Sequence, residues 1–571
     1  MPLRALSSLA LVAVLTASGT SVRRDGHGKL DPALRALAHA SGDFARVIVS
    51  TADGTGTDAI RAAGGHVLGY LPHSHDHVAL IESRALDQLA SRPDVLAISL
   101  DRPVRGAIGR TSTAIGARWV HEHLGVDGTG VGIATIDSGI SPWHDDLPQG
   151  RVARFVDFVN HQPSPYDDYG HGTHVAGILA GSGKDSDGAR RGIAPGAHLV
   201  VLKALDAAGG GYISNVMAAI DFAIANRAAF NIRVINLSVA AGVFDSYSRD
   251  PLALAARRAV NAGLVVVAAA GNLGRGLGGD PQYGAIAAPG NAPWVLTAGA
   301  SSHMGTPERS DDVVAGFSSR GPTPVDRIPK PDLVAPGVGI ESTTEPASAL
   351  FAAYPASRVA GTAATIHEPY LALSGTSMAA PVVAATAALM LHVNPALTPN
   401  AVKAILQYTA EIRPEYDHLT QGAGFLNTRG AVHLARVFAG VEPEDRTQAA
   451  RWGRQIFWGA SRITAPRLPS AARAWDLGVD WGAATMPGGQ PVAWTDECPS
   501  TADCARDIVV TPLCDGAACL EEPLAWVEGH AFDAGLGLVV AGHARCDSAP
   551  HLLWTPRGEP VCVEPVARRR R

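Results

Sequence analysis

Continuous apolar runs recur through the middle of the chain, and stretches with helical periodicity separate several of them. A strand that is covered on both faces reads as an unbroken apolar run, because neither face meets water. This alternation predicts a parallel, doubly wound α/β sheet, in which functional groups gather at the carboxyl ends of the strands. The predicted strands are 131–136, 199–202, 234–237, 264–270 and 295–298, and the predicted helices include 215–230 and 251–262.

The two flanking regions follow different patterns. Between residues 44 and 103, short strands and helices in the order βαββαβ predict a ferredoxin-like α+β unit, with a linker at about 105–113. Past residue 440 the alternation is lost, and seven of the ten tryptophans lie between Trp452 and Trp554 together with every cysteine. This composition predicts a small, disulfide-rich and mainly β C-terminal domain. Its tryptophans are expected to form a core, and carbohydrate binding is the alternative.

The first 19 residues have the order of a secretory signal peptide. Arg4 precedes a mainly apolar stretch at 5–15, and the small residues Ala17, Ser18 and Gly19 follow. A basic region, an apolar region and a small-residue cleavage site in that order direct export. We therefore expect a secreted protein, extracellular or periplasmic. Its six cysteines are expected to form three disulfides, and the sequence does not determine which cysteines pair.

Overall composition excludes several classes of protein. The 571 residues are 46% apolar and 18% charged, so the chain can bury a large core and is not a disordered polyelectrolyte. The net charge of −6 gives no electrostatic basis for binding nucleic acid. No stretch after the first segment reaches the ~18 consecutive apolar residues that cross a bilayer, so no membrane span is expected. The oligomeric state is not predicted.

Three residues that together can carry out acyl transfer stand at predicted strand-to-helix junctions. Asp137 follows the first predicted strand of the sheet, His171 opens a run rich in small residues, and Ser377 precedes an Ala- and Leu-rich helix. A serine hydroxyl becomes a good nucleophile when an imidazole takes its proton, and the imidazole needs a carboxylate to fix its tautomer. Donors to the oxyanion are also required, and Asn272 and the backbone N–H of Ser377 are the candidates.

These motifs resemble those of the subtilases, the subtilisin-like serine peptidases, in their secreted bacterial form with an inhibitory propeptide. The resemblance covers about residues 115–440 and implies a serine endopeptidase that hydrolyses peptide bonds through an acyl-enzyme. By this resemblance Ser377 attacks, His171 acts as base and then acid, Asp137 orients His171, and Asn272 stabilises the oxyanion. The motifs, which occur in the family's order, are Asp137-Ser138-Gly139, His171-Gly172-Thr173-His174-Val175-Ala176-Gly177, Ala270-Gly271-Asn272 and Gly375-Thr376-Ser377-Met378-Ala379-Ala380-Pro381.

The resemblance also implies how the chain is organised. The propeptide would act as an intramolecular inhibitor of a zymogen until self-cleavage between Pro103 and Thr113, and a permanent accessory domain is the alternative. The expected segments are a signal peptide at 1–19, an inhibitor-like propeptide at 20–108, a subtilisin-like peptidase domain at 109–440, and the Trp- and Cys-rich C-terminal domain at 441–571.

One stretch matches a wall of the family's first side-chain pocket. It consists of Ser238, Val239 and Ala240, and its methyl groups are expected to narrow the cleft. Ala287 and Ala288 are expected at the pocket floor. Together they favour medium-sized apolar side chains over aromatic ones, although one methylene changes such discrimination by only ~1–3 kcal/mol.

A second stretch matches the segment that pairs with extended substrate in relatives. It consists of Gly209, Gly210 and Gly211, and a plain loop is the alternative. About twenty extra residues at 348–368 precede Gly375 and are expected at the rim of the cleft.

The family's calcium binding is not carried over to this chain. Asp146 matches a carboxylate that many relatives use for calcium, but the loop at 182–191 does not reproduce the usual ligand loop. Its Asp185 and Asp187 either bind calcium differently or are solvated. We therefore predict no cofactor and assign no metal site, and leave calcium open.

The leading interpretation is a secreted, autoprocessed serine endopeptidase that acts on proteins or peptides. Two alternatives stay open. One is a processing protease that cleaves a single partner without degrading proteins generally. The other is a catalytically idle scaffold that displays the C-terminal domain as a binding module.

Overall fold

The N-terminal unit is built on a four-stranded antiparallel sheet in the order β2-β3-β1-β4. Alternate residues of β1 and β3 are buried, because one face of this sheet carries the helices and the other faces away from them. The order is that of a split βαβ unit. Its elements are β1 (Phe44–Thr51), α1 (Gly56–Ala62), β2 (His66–Leu71), β3 (Asp76–Glu82), α2 (Leu86–Ala90) and β4 (Val95–Leu100).

The computed structural model divides into two compact units, Met1–Pro103 and Val104–Arg571. The predicted signal peptide lies outside the described residues. The structure describes residues 29–30, 34, 44–51, 56–71, 76–100, 107–148, 150–275, 281–362, 365–441, 447–494, 509–512, 538–541, 551–554 and 560–563.

The second unit contains an eight-stranded mixed sheet in the order β13-β12-β11-β9-β5-β7-β6, with β14 also paired to β12. All of its strand pairs are parallel except that of β12 with β13. The strands are β5 (Gly132–Asp137), β6 (Val152–Asp157), β7 (His198–Lys203), β9 (Ile232–Leu237), β11 (Val265–Ala269), β12 (Leu296–Ser302), β13 (Val313–Val314) and β14 (Leu333–Pro336).

The remaining described elements surround this sheet. The helices are α3 (Ala107–Ala114), α4 (Ala117–Leu124), α5 (His171–Ala180), α6 (Ile213–Ala225), α7 (Pro251–Asn261), α8 (Ala349–Ala353), α9 (Thr376–Val393), α10 (Pro399–Thr409), α11 (His418–Gln421) and α12 (Thr428–Phe438). The short strands are β8 (Gly210–Tyr212), β10 (Val239–Ala240), β15 (Ile340–Thr343), β16 (Arg358–Val359), β17 (Tyr370–Leu373), β18 (Gln455–Trp458), β19 (Ser461–Thr464), β20 (Val509–Pro512), β21 (Leu538–Ala541), β22 (His551–Trp554) and β23 (Pro560–Val563).

The apolar runs of the sequence correspond to the central strands. Every residue of β5 and β11 is buried, as expected for strands covered on both faces. The edge strand β6 was not predicted, because it exposes Ala153 and Arg154 and has no continuous apolar run. Among the described residues, α9 is long and apolar enough to cross a membrane, but most of it is buried inside the unit.

The prediction of a linker at 105–113 is wrong for most of that range, because the helix α3 occupies Ala107–Ala114. Thr111 and Ser112 of this helix are buried. A Cβ at Gly109 would lie 2.3 Å from the carbonyl oxygen of Ala189, so the helix packs closely through a position without a side chain. Small residues that suggested a flexible linker instead permit close packing.

Residues 447–494 pack against α10. The amide of Asn400 donates to the carbonyl oxygens of Ala474 (3.1 Å) and Val479 (2.8 Å). Trp458, Trp475 and Trp481 are buried in the same core, so these tryptophans serve packing. The predicted disulfides stay a prediction. Cys498, Cys504, Cys514, Cys519 and Cys546 lie outside the described residues, and Cys562 is described by its backbone alone.

A buried charge network joins the segment just before β14 to α10. The Asp332 carboxylate accepts from the ammonium groups of Lys330 (2.7 Å) and Lys403 (2.9 Å) and from the amide of Gln407 (2.9 Å). Burial by itself raises the pKa of Asp332, but the two lysine charges, together with hydrogen bonds from Lys330 and Thr297, lower that pKa overall. Burial lowers the pKa of both Lys330 and Lys403. The buried carboxylate and the two buried ammonium groups therefore compensate one another, and removal of the carboxylate would leave both ammonium groups buried without a counter-charge.

We predict that Asp332→Ala destabilises the second unit by about 3–5 kcal/mol, because it leaves two buried ammonium groups without a carboxylate. Urea unfolding at neutral pH measures the change. Asp221→Ala is the matched control, since Asp221 forms an exposed pair with Arg258 at 3.1 Å and such pairs contribute about 0–1 kcal/mol. Equal midpoints for the two variants would contradict the prediction.

Candidate active site

Three strands of the main sheet deliver polar residues to the same edge. β5 ends at Asp137, Ser238 follows β9 directly, and Asn272 lies three residues beyond the end of β11. The strands are parallel, so their carboxyl ends meet at one edge. After β5 the chain forms β6 and β7 on one side of it and later β9 on the other, which makes the β5–β9 boundary a topological switch point.

Asp137 and His171 form a buried hydrogen-bonded pair. His171 Nδ1 lies 2.8 Å from Asp137 Oδ1, which also accepts from the backbone N–H of Ser138 at 2.8 Å. Both side chains are 0% exposed. The Asp137 carboxylate accepts a hydrogen bond from His171 Nδ1. The proton of the neutral ring therefore resides on Nδ1, and Nε2 carries the lone pair. His171 Nε2 has no hydrogen-bond partner among the described residues.

Close backbone packing holds His171 at the start of α5. Gly170 precedes the helix with φ 98°, a left-handed conformation that favours glycine. A Cβ at Gly172 would lie 2.3 Å from the carbonyl oxygen of Gly139, so the two motifs touch through their backbones. The position of the imidazole therefore follows from glycines on both sides of it.

Asp167 organises the loop before His171, and sequence reasoning did not single it out. Its carboxylate accepts from the Ser138 hydroxyl (2.8 Å), the backbone N–H of Gly170 (2.7 Å), and the backbone N–H (2.7 Å) and hydroxyl (2.6 Å) of Thr173. Burial raises the pKa of Asp167, and the hydrogen bonds from Thr173 and Gly170 oppose the rise. The pair Asp167-Asp168, shortly before Gly170, was the feature of the sequence that could have indicated this role.

Ser377 lies in the first turn of α9 and is 1% exposed. Four residues later comes Pro381, which has no N–H to donate to the Ser377 carbonyl oxygen as a normal helix would require. The Ser238 hydroxyl donates to that oxygen instead, at 2.8 Å. This hydrogen bond ties the start of α9 to the segment that follows β9.

Asn272 contacts the residue that precedes Ser377. Its side-chain oxygen accepts from the backbone N–H (2.9 Å) and the hydroxyl (3.1 Å) of Thr376. The Thr376 hydroxyl also accepts from the backbone N–H of Gly271 at 3.1 Å. Because Thr376 binds the side-chain oxygen of Asn272, the side-chain NH2 group of Asn272 is oriented away from Thr376 and can donate a hydrogen bond to another group.

The two predicted substrate-binding stretches form short strands, and a third strand lies between them. Gly210 and Gly211 belong to β8, Val239 and Ala240 form β10, and the backbone of β21 pairs with both. No pattern in the sequence predicts β21 in this place.

The predicted pocket wall and floor are in contact. Ala241, the residue after β10, exchanges two backbone hydrogen bonds of 2.9 Å with Ala288. Ala287 and Ala288 are buried. Gly209 adopts φ 76°, and a Cβ there would lie 2.4 Å from the ring of Tyr169, so this approach requires glycine.

The extra residues at 348–368 contact the segment that leads to His171. The backbone N–H of Ala349 donates to the Asp168 carbonyl oxygen (2.9 Å), and that of Leu350 donates to the Tyr169 carbonyl oxygen (3.0 Å). These two acceptors immediately precede Gly170 and His171. The insertion therefore supports the histidine side of the site.

One acidic cluster, formed by His144, Asp146 and Asp185, has metal-ligating groups within 4.8 Å of one another. The Asp146 oxygens accept from the Asp185 backbone N–H (2.8 Å) and the Tyr370 hydroxyl (2.7 Å). His144 Nδ1 accepts from the Asp146 backbone N–H at 3.0 Å. Calcium requires six to eight oxygen ligands, whereas this cluster offers two carboxylates and an imidazole, and both Asp146 oxygens already accept hydrogen bonds. The residues do not fit calcium.

The mixed parallel sheet with its surrounding helices has the subtilisin-like α/β architecture. Residues 128–432 match the model of the subtilase family. Serine protease AprX of Bacillus subtilis is 37% identical over 361 residues, which cover 62% of this chain and 78% of that protein. Thermostable alkaline protease of Halalkalibacterium halodurans is 31% identical over 373 residues, which cover 64% of this chain and 84% of that protein.

Subtilisin E of Bacillus subtilis is 31% identical over 378 residues, which cover 66% of this chain and 85% of that protein. The chain belongs to the subtilase family and is a serine-type endopeptidase.

His174 lies one turn after His171 and anchors α5. Its Nε2 donates to the carbonyl oxygens of Ile340 (3.0 Å) and Leu371 (2.9 Å). Burial, with the neighbouring His171, lowers the pKa of His174 to about 3. An unfolded histidine takes up its proton near pH 6.5. The neutral ring therefore stabilises the fold fully above that pH, and this contribution is lost as the pH falls from about 6.5 towards 3.

We predict that His174→Gln weakens the acid dependence of stability, because glutamine retains an N–H donor but does not titrate. The free energy of unfolding, measured in urea at about pH 7 and about pH 4, should fall more steeply for the wild type than for the variant. The same loss in both proteins would show that His174 does not contribute to acid sensitivity.

Proposed function

We propose that this protein is a secreted endopeptidase that hydrolyses peptide bonds through an acyl-enzyme on Ser377. The hydrogen bond from His171 Nδ1 to Asp137 Oδ1 is the observation that carries the proposal. It holds the imidazole in the tautomer that accepts a proton at Nε2, the atom without a partner among the described residues.

In the proposed reaction, Ser377 Oγ attacks the carbonyl carbon of the substrate and its proton passes to His171 Nε2. Asp137 stays ionised and stabilises the imidazolium that forms. Collapse of the tetrahedral intermediate breaks the peptide C–N bond, and His171 gives its proton to the leaving amine. Water then attacks the ester, with His171 again as base, and releases the acid and Ser377.

Two donors are proposed for the oxyanion. The Ser377 N–H stands in the first turn of α9, where backbone N–H groups have no partner within the helix and the dipole favours negative charge. Asn272 supplies its amide nitrogen, since the carboxamide oxygen is held by Thr376. Ser238 acts as a positioning residue, because its hydrogen bond to the Ser377 carbonyl oxygen compensates for the missing N–H of Pro381.

Substrate is proposed to bind as an extended strand against Gly209, Gly210 and Gly211 on one side and Ser238, Val239 and Ala240 on the other. The buried side chains of Ala287 and Ala288 support a shortened first pocket that takes medium-sized apolar side chains. Proteins and peptides are thus the proposed partners.

The N-terminal unit is proposed to be the inhibitory propeptide of a zymogen, which self-cleavage removes. An extended segment must enter a peptidase site, whereas α3 contains the buried Thr111 and Ser112. We therefore place the cut ahead of Ala107, at the start of the range expected from the sequence. The signal peptide and the C-terminal disulfides complete the proposal for an exported protein.

Ser377→Ala should abolish hydrolysis of a peptide substrate, because the hydroxyl is the proposed nucleophile, while the variant is still secreted as a folded protein. N-terminal sequencing of the secreted wild type and variant tests autoprocessing at the same time. The wild type should begin near Ala107 and the variant should retain its N-terminal unit. Undiminished hydrolysis by the variant would exclude the mechanism, and identical long forms would exclude self-cleavage.

Asn272→Ala should lower kcat by about 10²–10³-fold with little change in KM, because the lost donor acts on the charge of the transition state. That magnitude is the one known for removal of the corresponding donor from subtilisin. Asn226→Ala is the control, since the Asn226 amide bonds only a carbonyl within its own helix segment. A kcat within about twofold of the wild type would argue against the assigned role of Asn272.

A further inference from the structure

The strand β21 completes a three-stranded sheet in the order β10-β21-β8. It runs antiparallel to both neighbours. Ala541 pairs with Val239 and Val540 with Ala240 on one side, while Leu538, Val539 and Val540 pair with Tyr212, Gly211 and Gly210 on the other. A segment about 300 residues further along the chain thus lies between two strands near the candidate active site.

The position of β21 is the one that an extended substrate needs. Strands β8 and β10 contain the stretches proposed to bind peptide, and within the described part of the chain they are joined only through β21. Substrate addition to a sheet edge uses the backbone N–H and C=O groups of that edge. Because β21 already pairs with both edges, a peptide can bind there only after β21 leaves.

The direction of β21 also fits a substrate that acylates Ser377, because the acyl part of such a substrate presents its carboxyl end to the serine. Its last residue, Ala541, pairs with Val239, which directly follows Ser238. The Ser238 hydroxyl donates to the Ser377 carbonyl oxygen at 2.8 Å. The carboxyl end of β21 is therefore the end nearer to Ser377.

The exposure of the reactive groups agrees with an occupied cleft. His171 is 0% exposed and Ser377 is 1% exposed. Gly210 and Gly211 are buried, although they lie in a strand of three residues that has no other β-sheet partner in the described sheet. A hydrolytic site must admit both peptide and water, so the state seen here is closed to substrate.

We propose that Leu538–Ala541 is an intramolecular ligand of the peptide-binding cleft and competes with substrate for the strands β8 and β10. The inference rests on the proposed function, because it takes Ser377 as the nucleophile. The segment lowers the fraction of molecules whose cleft is free, and the apparent KM rises by the reciprocal of that fraction. It leaves kcat unchanged, since a saturating substrate displaces it.

Val540→Pro is the decisive variant. In a central strand every backbone N–H serves one neighbour or the other, so proline at this position removes a ladder hydrogen bond. Leu552→Pro is the matched control, because β22 pairs only with β23 in the described part of the chain. It places a proline in a strand of the same C-terminal region that does not pair with β8 or β10 in the described part of the chain.

Steady-state kinetics on a small chromogenic peptide should show KM about 10-fold lower for Val540→Pro than for the wild type, if β21 occupies roughly nine-tenths of the molecules. The kcat should not change, and Leu552→Pro should match the wild type in both parameters. Intact mass and N-terminal sequencing establish that all three proteins carry residues 538–541 and are processed alike. Equal KM values for the wild type and Val540→Pro would overturn the proposal, as would a secreted wild type that lacks 538–541.

A second readout does not depend on activity. Amide hydrogen exchange at 210–212 and 239–240 should become faster in Val540→Pro and stay unchanged in Leu552→Pro, because β21 protects those amides. A synthetic peptide of residues 536–543 added to Val540→Pro should compete with substrate and slow the exchange again. A failure of the proposed function gives a different result from a failure of this proposal. In that case all three proteins would lack Ser377-dependent hydrolysis, regardless of their rates of amide hydrogen exchange.

Discussion

The hydrogen bond between His171 Nδ1 and Asp137 Oδ1 is the interaction on which the rest of the site depends. It joins the end of a central strand to the first residue of a helix, at the point where the order of strands reverses. Both partners are buried, so water competes little for the bond. The surrounding structure serves this geometry: glycines bring the two backbones together, and Asp167 fixes the loop that leads to the histidine.

A second constraint links the proposed nucleophile to the substrate edge. Proline at position 381 leaves the Ser377 carbonyl oxygen without its helical donor, and Ser238 provides one from the segment that begins β10. The strand proposed to bind peptide and the turn that carries Ser377 are therefore held together by one side chain. Any strand that pairs with β10 is thereby placed close to Ser377, and the proposed competition between β21 and substrate follows from this placement.

Much of the fold could be predicted because central strands covered on both faces leave a strong apolar signal. The order of elements in the N-terminal unit could be predicted as well, from short alternating runs. β6 could not, because an edge strand exposes polar and small residues. α3 was missed because its small residues resemble a linker until the contact of Gly109 with Ala189 is seen.

The candidate site divides in a similar way. Asp137, His171, Asn272 and Ser377 stand in short motifs whose residue types carry chemistry, so sequence alone singled them out. The contacts that hold them, such as those of Ser238 and Thr376, depend on side chains that meet only in three dimensions. β21 is the extreme case, because strand pairing across about 300 residues leaves no local signal.

The central claim is that an imidazole held by Asp137 activates Ser377, and covalent labelling tests it most directly. A fluorescent organophosphonate, which reacts with activated serines, should label the wild type at Ser377 as located by peptide mapping. His171→Ala should react at a small fraction of that rate although its serine is intact. Labelling at a different residue, or equal rates at Ser377 in the two proteins, would contradict the account.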